Sequence, residues 1–196
     1  MRSNLKLLIL TIVLLNCLAV LAENDTQTSP PLKEAFVILR DPSLGKPRLT
    51  LRTPPKDTNG RQADDIMEQF LIHVREGQVS EAKQLCRFEV LAYITSDRFG
   101  SVTKHNLPSN SEYKKQAEEQ LAASAALFPR YIEELQKATR YIIGATVKQK
   151  SNYWTITVVA EDIKEQFWPQ SQNIYLYYQN GKWEILISDL TRRFKN

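Results

Sequence analysis

From Ala138 onward apolar side chains recur at every second position, and no other feature restricts the possible folds so strongly. "TRYIIGATVKQKS" and "NYWTITVVAED" read as adjacent strands meeting near Ser151-Asn152, and "NIYLYY" and "KWEILISDL" as a second pair. Asn180-Gly181 joins the last two. Both residues tolerate the positive φ that a tight hairpin demands, so an antiparallel pair is expected there. Trp183, Ile185 and Ile187 then share one face of the last strand, as Trp154, Ile156 and Val158 do on the second.

Before Ala138 the period is helical. "ADDIMEQFLIHVREGQ" spaces Ile66, Phe70 and Val74 four apart, with Asp64 and Asp65 at the positive end and Gly77 as a stop. Ser80 is placed to cap a second helix within "VSEAKQLCRFEVLAYI", and "TSDRFGSVTKHNLPSNS" reads as a loop. Ser111 is placed to cap a third, with the stripe Ala117, Leu121, Ala125 and Phe128. Pro129 either kinks that helix or opens another, "PRYIEELQKA". Helices followed by an antiparallel meander define an α+β domain over residues 63–196.

Residues 23–62 carry most of the prolines and lack a sustained apolar face. They read as an extended arm, dispensable for folding, in which "EAFVILR" and "RLTLR" pair as a hairpin or add an edge strand. Ahead of the arm, Arg2 and Lys6 precede an apolar run from Leu7 to Ala22, and Glu23-Asn24-Asp25 follows. That order describes a secretory signal peptide, cleaved after Ala22. The run's 16 residues fall short of the roughly 20 a membrane span needs. An uncleaved anchor and a lipoprotein acylated at Cys17 are the rival readings, although Asn16 stands where a lipoprotein usually has a small residue.

Export changes the arithmetic of charge and thiols. Losing Arg2 and Lys6 lowers the basic count from 26 to 24 against 22 acids, a net charge of +2. With only Arg192-Arg193-Lys195 clustered, nothing forms the basic face that nucleic acid requires. Cys86 is the sole remaining thiol, so no internal disulfide forms, and its apolar neighbours suit a small buried hydrophobe. His73 and His105 have no third partner at metal-ligand spacing, and no glycine-rich phosphate loop or nucleophile elbow occurs. The sequence calls for no metal and no cofactor.

The succession of a helix, "VREGQVSEAKQL", a long helix and strands ending "YYQNGKWEILIS" resembles the nuclear transport factor 2-like superfamily over about residues 63–190. Gly77, Ala82 and Leu85 after the first helix, and Gly181, Trp183 and Ile185 in the final hairpin, carry the likeness. It is closest to bacterial exported domains of unknown function. The resemblance implies a cystatin-like cone: helices on a curved antiparallel sheet, an internal pocket, and sheet-to-sheet homodimers. Enzymes on that fold, isomerases and dehydratases, place an acid, His or Tyr inside the cone. Here Asp97, Tyr131, Glu161 and Asp162 qualify, but none sits in a matching motif.

The expected function is therefore a non-catalytic exported domain that binds a small apolar ligand or an envelope protein. Tyr131, Trp154, Phe167 and Trp168 are the expected contacts, since rings offer apolar faces with polar tips. Phe167 and Trp168, before Pro169 in an inter-strand loop, form the leading candidate surface, so Trp168→Ala is expected to cost less than about 1 kcal/mol. Core packing is the competing role for all four. An anchored subunit of an envelope secretion assembly is the reading that an uncleaved N-terminus favours.

Overall fold

A computed structural model describes residues 37–44, 53–149, 152–164, 167–168 and 171–194. Residues 1–22, read above as a signal peptide, and part of the arm lie outside these. Helix α1 (Ala63–Glu76) forms as its spacing requires, with Ile66, Met67, Phe70, Leu71 and Val74 all buried. Asp65 accepts from the Gln62 N–H at 2.7 Å, closing the N-terminus, and Gly77 at φ 70° ends the helix. Short α2 (Val79–Gln84) follows.

The expected second helix stops there, and a strand interrupts the expected loop, which is irregular over 103–110. Cys86–Thr95 is strand β2, paired antiparallel with β3 (Arg98–Val102). The physical cause is legible in "CRFEVLAYI": Cys86, Phe88, Val90, Ala92 and Ile94 alternate, a period of two that places them all on one face. Helix α3 (Ser111–Ala126) packs on that face through Ala117 and Leu121. Its cap is Asn110 rather than Ser111, accepting from the Glu112 N–H at 2.9 Å. Pro129 lies in the first turn of a new helix, α4 (Phe128–Leu135), where its missing N–H costs nothing.

Strands β4 (Arg140–Lys148), β5 (Tyr153–Ala160), β6 (Ser171–Gln179) and β7 (Lys182–Ser188) form the expected meander. Gln179 faces Lys182 across a two-residue turn, with Asn180 at φ 52° and Gly181 at φ 71°. The sheet is not purely antiparallel, however. Seven strands run in the order β1-β4-β5-β6-β7-β2-β3, where β1 is Val37–Arg40, and β1–β4 and β2–β7 are parallel pairs. Strand β2 enters from the helices and lies beside β7 in the same direction, a crossover that meander reasoning does not foresee.

One face of this sheet carries α1 and α4. Trp154, Ile156 and Val158 of β5, Leu176 of β6, and Trp183 and Ile185 of β7 pack there with Phe70, Ile132 and Leu135. A short last helix, α5 (Leu190–Arg193), is tied to α3 by Leu190 N–H donating to the buried Ser124 hydroxyl at 3.0 Å.

The described part of the arm, residues 37–44 and 53–62, belongs to this body. Strand β1 extends the sheet beside β4, and Arg40 donates to Asp64 and Asp65 of α1 at 2.8 and 2.9 Å and pairs with Glu68. Leu44 packs so closely on Gly144 that a β-carbon there would stand 2.5 Å from the Leu44 carbonyl oxygen. Only glycine fits. Residues 53–61 lie on the β6–β7 hairpin: Trp183 Nε1 donates to the Pro55 carbonyl at 3.2 Å, Tyr178 Oη to that of Lys56 at 2.8 Å, and the Thr58 N–H to that of Gly181 at 2.9 Å.

Asp57 organises that segment. Burial alone would raise the pKa of its carboxyl, but the N–H groups of Arg61 and Asn59 and the Arg61 guanidinium, all donating to it, hold it below the usual aspartate range. A depressed folded-state pKa contributes stability above the unfolded value, about 3.9, that is lost as pH falls through the folded value. Asp57→Asn is expected to lose about 1.5–3 kcal/mol at neutral pH, the range for hydrogen bonds to a charged group. Urea unfolding at neutral and acid pH should show the deficit shrinking in acid. An equal deficit at both would remove the carboxylate's charge from the explanation.

Candidate binding site

The residues expected to touch a ligand are interior. Trp168 is 2% exposed, its ring edge-on to Tyr141 at 5.7 Å and its Nε1 donating to the Val158 carbonyl at 3.4 Å. Phe167 is buried against Phe194 at 5.0 Å, and Arg193 Nη1 donates to its carbonyl at 2.6 Å. Trp154 stands edge-on to Trp183 at 5.8 Å. Tyr131 lies beneath the Arg193 guanidinium, and burial pushes its phenol up to about 12. The two loop aromatics therefore close the core instead of facing solvent, because the short helix α5 and its Arg193 fold back over them. Between Phe70, Tyr131, Trp168 and Ile185 the interior keeps a cavity of about 10 Å³. That holds roughly one water and no substrate.

The acids considered for catalysis are dispersed over the surface. Asp97 is exposed and accepts from the Thr95 hydroxyl, Glu161 pairs with Arg140, and Asp162 accepts from the Thr139 hydroxyl at 2.6 Å. His73 Nδ1 lies 2.6 Å from Gln78 Oε1, a packing role on α1. Cys86 donates its thiol to the Ala82 carbonyl at 3.2 Å, and burial raises its pKa far above the ordinary thiol range. Such a thiol is unreactive. Among the described residues no three His, Cys, Asp or Glu side chains gather as a metal site would require.

On the open face of the sheet, opposite α1 and α4, concavity and exposed apolar surface coincide. Alternation that turns Trp183, Ile185 and Ile187 inward turns Glu184, Leu186 and Ser188 outward. On β6 the outward set is Asn173, Tyr175 and Tyr177, and on β2 it is Arg87, Glu89, Leu91 and Tyr93. Tyr175 is 52% exposed, and Phe99 and Tyr93 form an exposed edge-on pair at 5.2 Å. Twist makes a sheet a saddle, so this face too has a concave diagonal.

Two cavities share Tyr153 along it. One, of about 320 Å³, has Tyr153, Tyr175 and Leu186 as its apolar wall and Glu89 as its charged residue. The other, of about 620 Å³, is lined by Arg87, Lys182, Glu184, Tyr177 and His105. Arg87 is buried to 8% exposure, pairs with Glu184 and lies 4.1 Å from the Tyr177 ring centroid. Lys182 Nζ is 3.7 Å from the second Glu184 oxygen. Apolar and charged ends thus adjoin in one groove.

None of the four expected contacts lines this groove: Trp154 is in the core, and its neighbour Tyr153 lines the groove instead. Arg87 and Glu89 are invisible as groove residues while "VSEAKQLCRFEVLAYI" is read only for a short helix. The alternation of Cys86, Phe88, Val90, Ala92 and Ile94 is the signal that locates them.

These features define an α+β domain with helices on one face of a seven-stranded mixed sheet, a filled core and a groove on the other face. No family model matches the chain, and neither does any curated protein or solved structure.

Proposed function

We propose that this chain is an exported, non-catalytic binding domain of the nuclear transport factor 2-like kind, and that a small, largely apolar ligand lies in the groove on the open face of the sheet. The observation that carries this reading is the contrast between a core with about 10 Å³ of free space and an outer groove of about 320 and 620 Å³ joined at Tyr153. Ligand sites are concave, mostly apolar and marked by a few charged groups. The order of a helix pair, a hairpin, two further helices and a four-strand meander supports the superfamily relationship. The basic, apolar, polar succession of residues 1–25 supports export to the cell envelope. The exposed Tyr93–Phe99 pair at the β2–β3 end of the same face favours a second occupant there, a partner protein or another copy of the chain.

Decanol titrated into the full chain tests the ligand reading by NMR. Shifts are expected at the Leu186 methyls and the Tyr153 and Tyr175 rings, with Phe70 and Trp168 unmoved, and Leu186→Arg should abolish them. Shifts confined to Phe70 and Trp168 would return the ligand to the cone interior; no shifts at all would overturn the groove as an apolar site.

A further inference from the structure

The groove's two ends differ in charge, and that difference selects a ligand. At the larger end Arg87 and Lys182 face the single carboxylate of Glu184, an excess of one positive charge. At the smaller end Glu89 is the only charged side chain among the described residues, an excess of one negative charge. We infer that the ligand is an amphiphile bearing one carboxylate, its head at the Arg87–Lys182 end and its apolar body against Tyr175 and Leu186. This rests on the groove being the ligand site proposed above.

Arg87 provides the second observation. Its guanidinium is nearly sequestered, held by the Tyr177 ring and by Glu184, yet its Nε has no acceptor among the described residues. Buried donors are rarely left unmade, because desolvating an N–H without replacing its bond to water is costly. A carboxylate entering the larger cavity meets the Arg87 and Lys182 side chains that line it. Lys182, 61% exposed on the rim, is free to swing from Glu184 to the same head. Arg favours carboxylate because its planar donors match the two oxygens.

Charge balance argues against a phosphate head. One net positive charge neutralises one carboxylate, whereas a phosphate monoester carries about −1.5 to −2 and would remain uncompensated beside Glu184. The polarity of the groove also fixes orientation. A head lodged beside Glu89 would meet a like charge, while the apolar wall of Tyr175 and Leu186 suits the body.

Three probes with the same chain, decanoate, decanol and decyl phosphate, separate this inference from the site reading on which it rests. Binding is followed by NMR or calorimetry with the full chain and with Lys182→Glu, Arg87→Lys and Lys164→Glu. Decanoate is expected to bind at least about tenfold more tightly than either other probe, a difference of about 1.4 kcal/mol. Lys182→Glu should remove that advantage. Lys164→Glu makes the same charge change at an exposed position beyond the far end of β5 from Tyr153 and should alter nothing. Equal binding of decanoate and decanol overturns the carboxylate head and leaves the apolar groove standing. Decyl phosphate binding as tightly as decanoate overturns the choice of head group. Failure of all three overturns the groove itself. Should Arg87→Lys fail to fold, Lys182→Glu decides alone: undiminished decanoate binding to it refutes the inference.

Discussion

Trp183→Ala is expected to destabilise the protein by about 3–5 kcal/mol, the usual cost of deleting a buried Trp or Phe side chain. Trp183 is 1% exposed at the first inward position after the Asn180-Gly181 turn, and packs edge-on to Trp154 and at 4.8 Å from Tyr178. Truncation opens a cavity between those rings and leaves the Pro55 carbonyl without its 3.2 Å donor. Against a domain stability of roughly 5–15 kcal/mol, the loss should appear as an early thermal midpoint and poor expression. Trp168→Ala should cost a comparable amount. The loop position of Trp168 suggested a surface contact costing under about 1 kcal/mol, but its ring is in the same core and its indole N–H is bonded to Val158. Parallel urea unfolding of the two variants decides the matter. A Trp168→Ala curve superimposed on wild type would mean that its ring contributes nothing to the core.

Removing residues 1–60 should be more damaging than either substitution. Such a chain loses β1, so the β4 edge is left unpaired, and it loses the Arg40 guanidinium from Asp64, Asp65 and Glu68. Those three acids then crowd the start of α1 without the Arg40 guanidinium. Trp183 Nε1 and Tyr178 Oη lose their acceptors on Pro55 and Lys56. Asp57, with its bonds to Arg61 and Asn59, goes as well. No single contact accounts for the loss; an unpaired edge, a like-charge cluster and an uncovered core act together. The truncated chain is expected to be insoluble or molten, with weak near-ultraviolet dichroism and a broad unfolding transition. A sharp transition near that of the full chain would restore the arm to the dispensable role its composition suggested.

The C-terminal meander was legible because its signals are local. Asn180-Gly181 needs no partner to favour positive φ, and alternating apolar residues about it leave one register that buries Trp183, Ile185 and Ile187 together. Helix α1 was legible for the same reason: Ile66, Phe70 and Val74 lie one helical turn apart and Gly77 stops the run. The stretch from Cys86 to Val102 was not. There Leu85, Cys86, Phe88, Val90 and Leu91 satisfy a short helical window as well as a strand, and short apolar runs leave the two periods unresolved.

What tertiary structure alone decided is which elements meet. Composition marks residues 23–62 as an arm, but docking of Arg40 on α1 and of Pro55 and Lys56 on the last hairpin depends on partners more than twenty residues away in one case and over a hundred in the others. Trp168 reads as exposed because a Pro follows it, yet α5 folds Arg193 over the adjoining Phe167 and the core receives both rings. The groove follows the same rule. Tyr153, Leu186 and Arg87 lie on β5, β7 and β2, and only the parallel placement of β2 beside β7 brings Arg87 to Glu184. Local backbone preference and periodicity are written residue by residue; burial and charge pairing belong to pairs of residues, and the chain's order does not say which pairs will form.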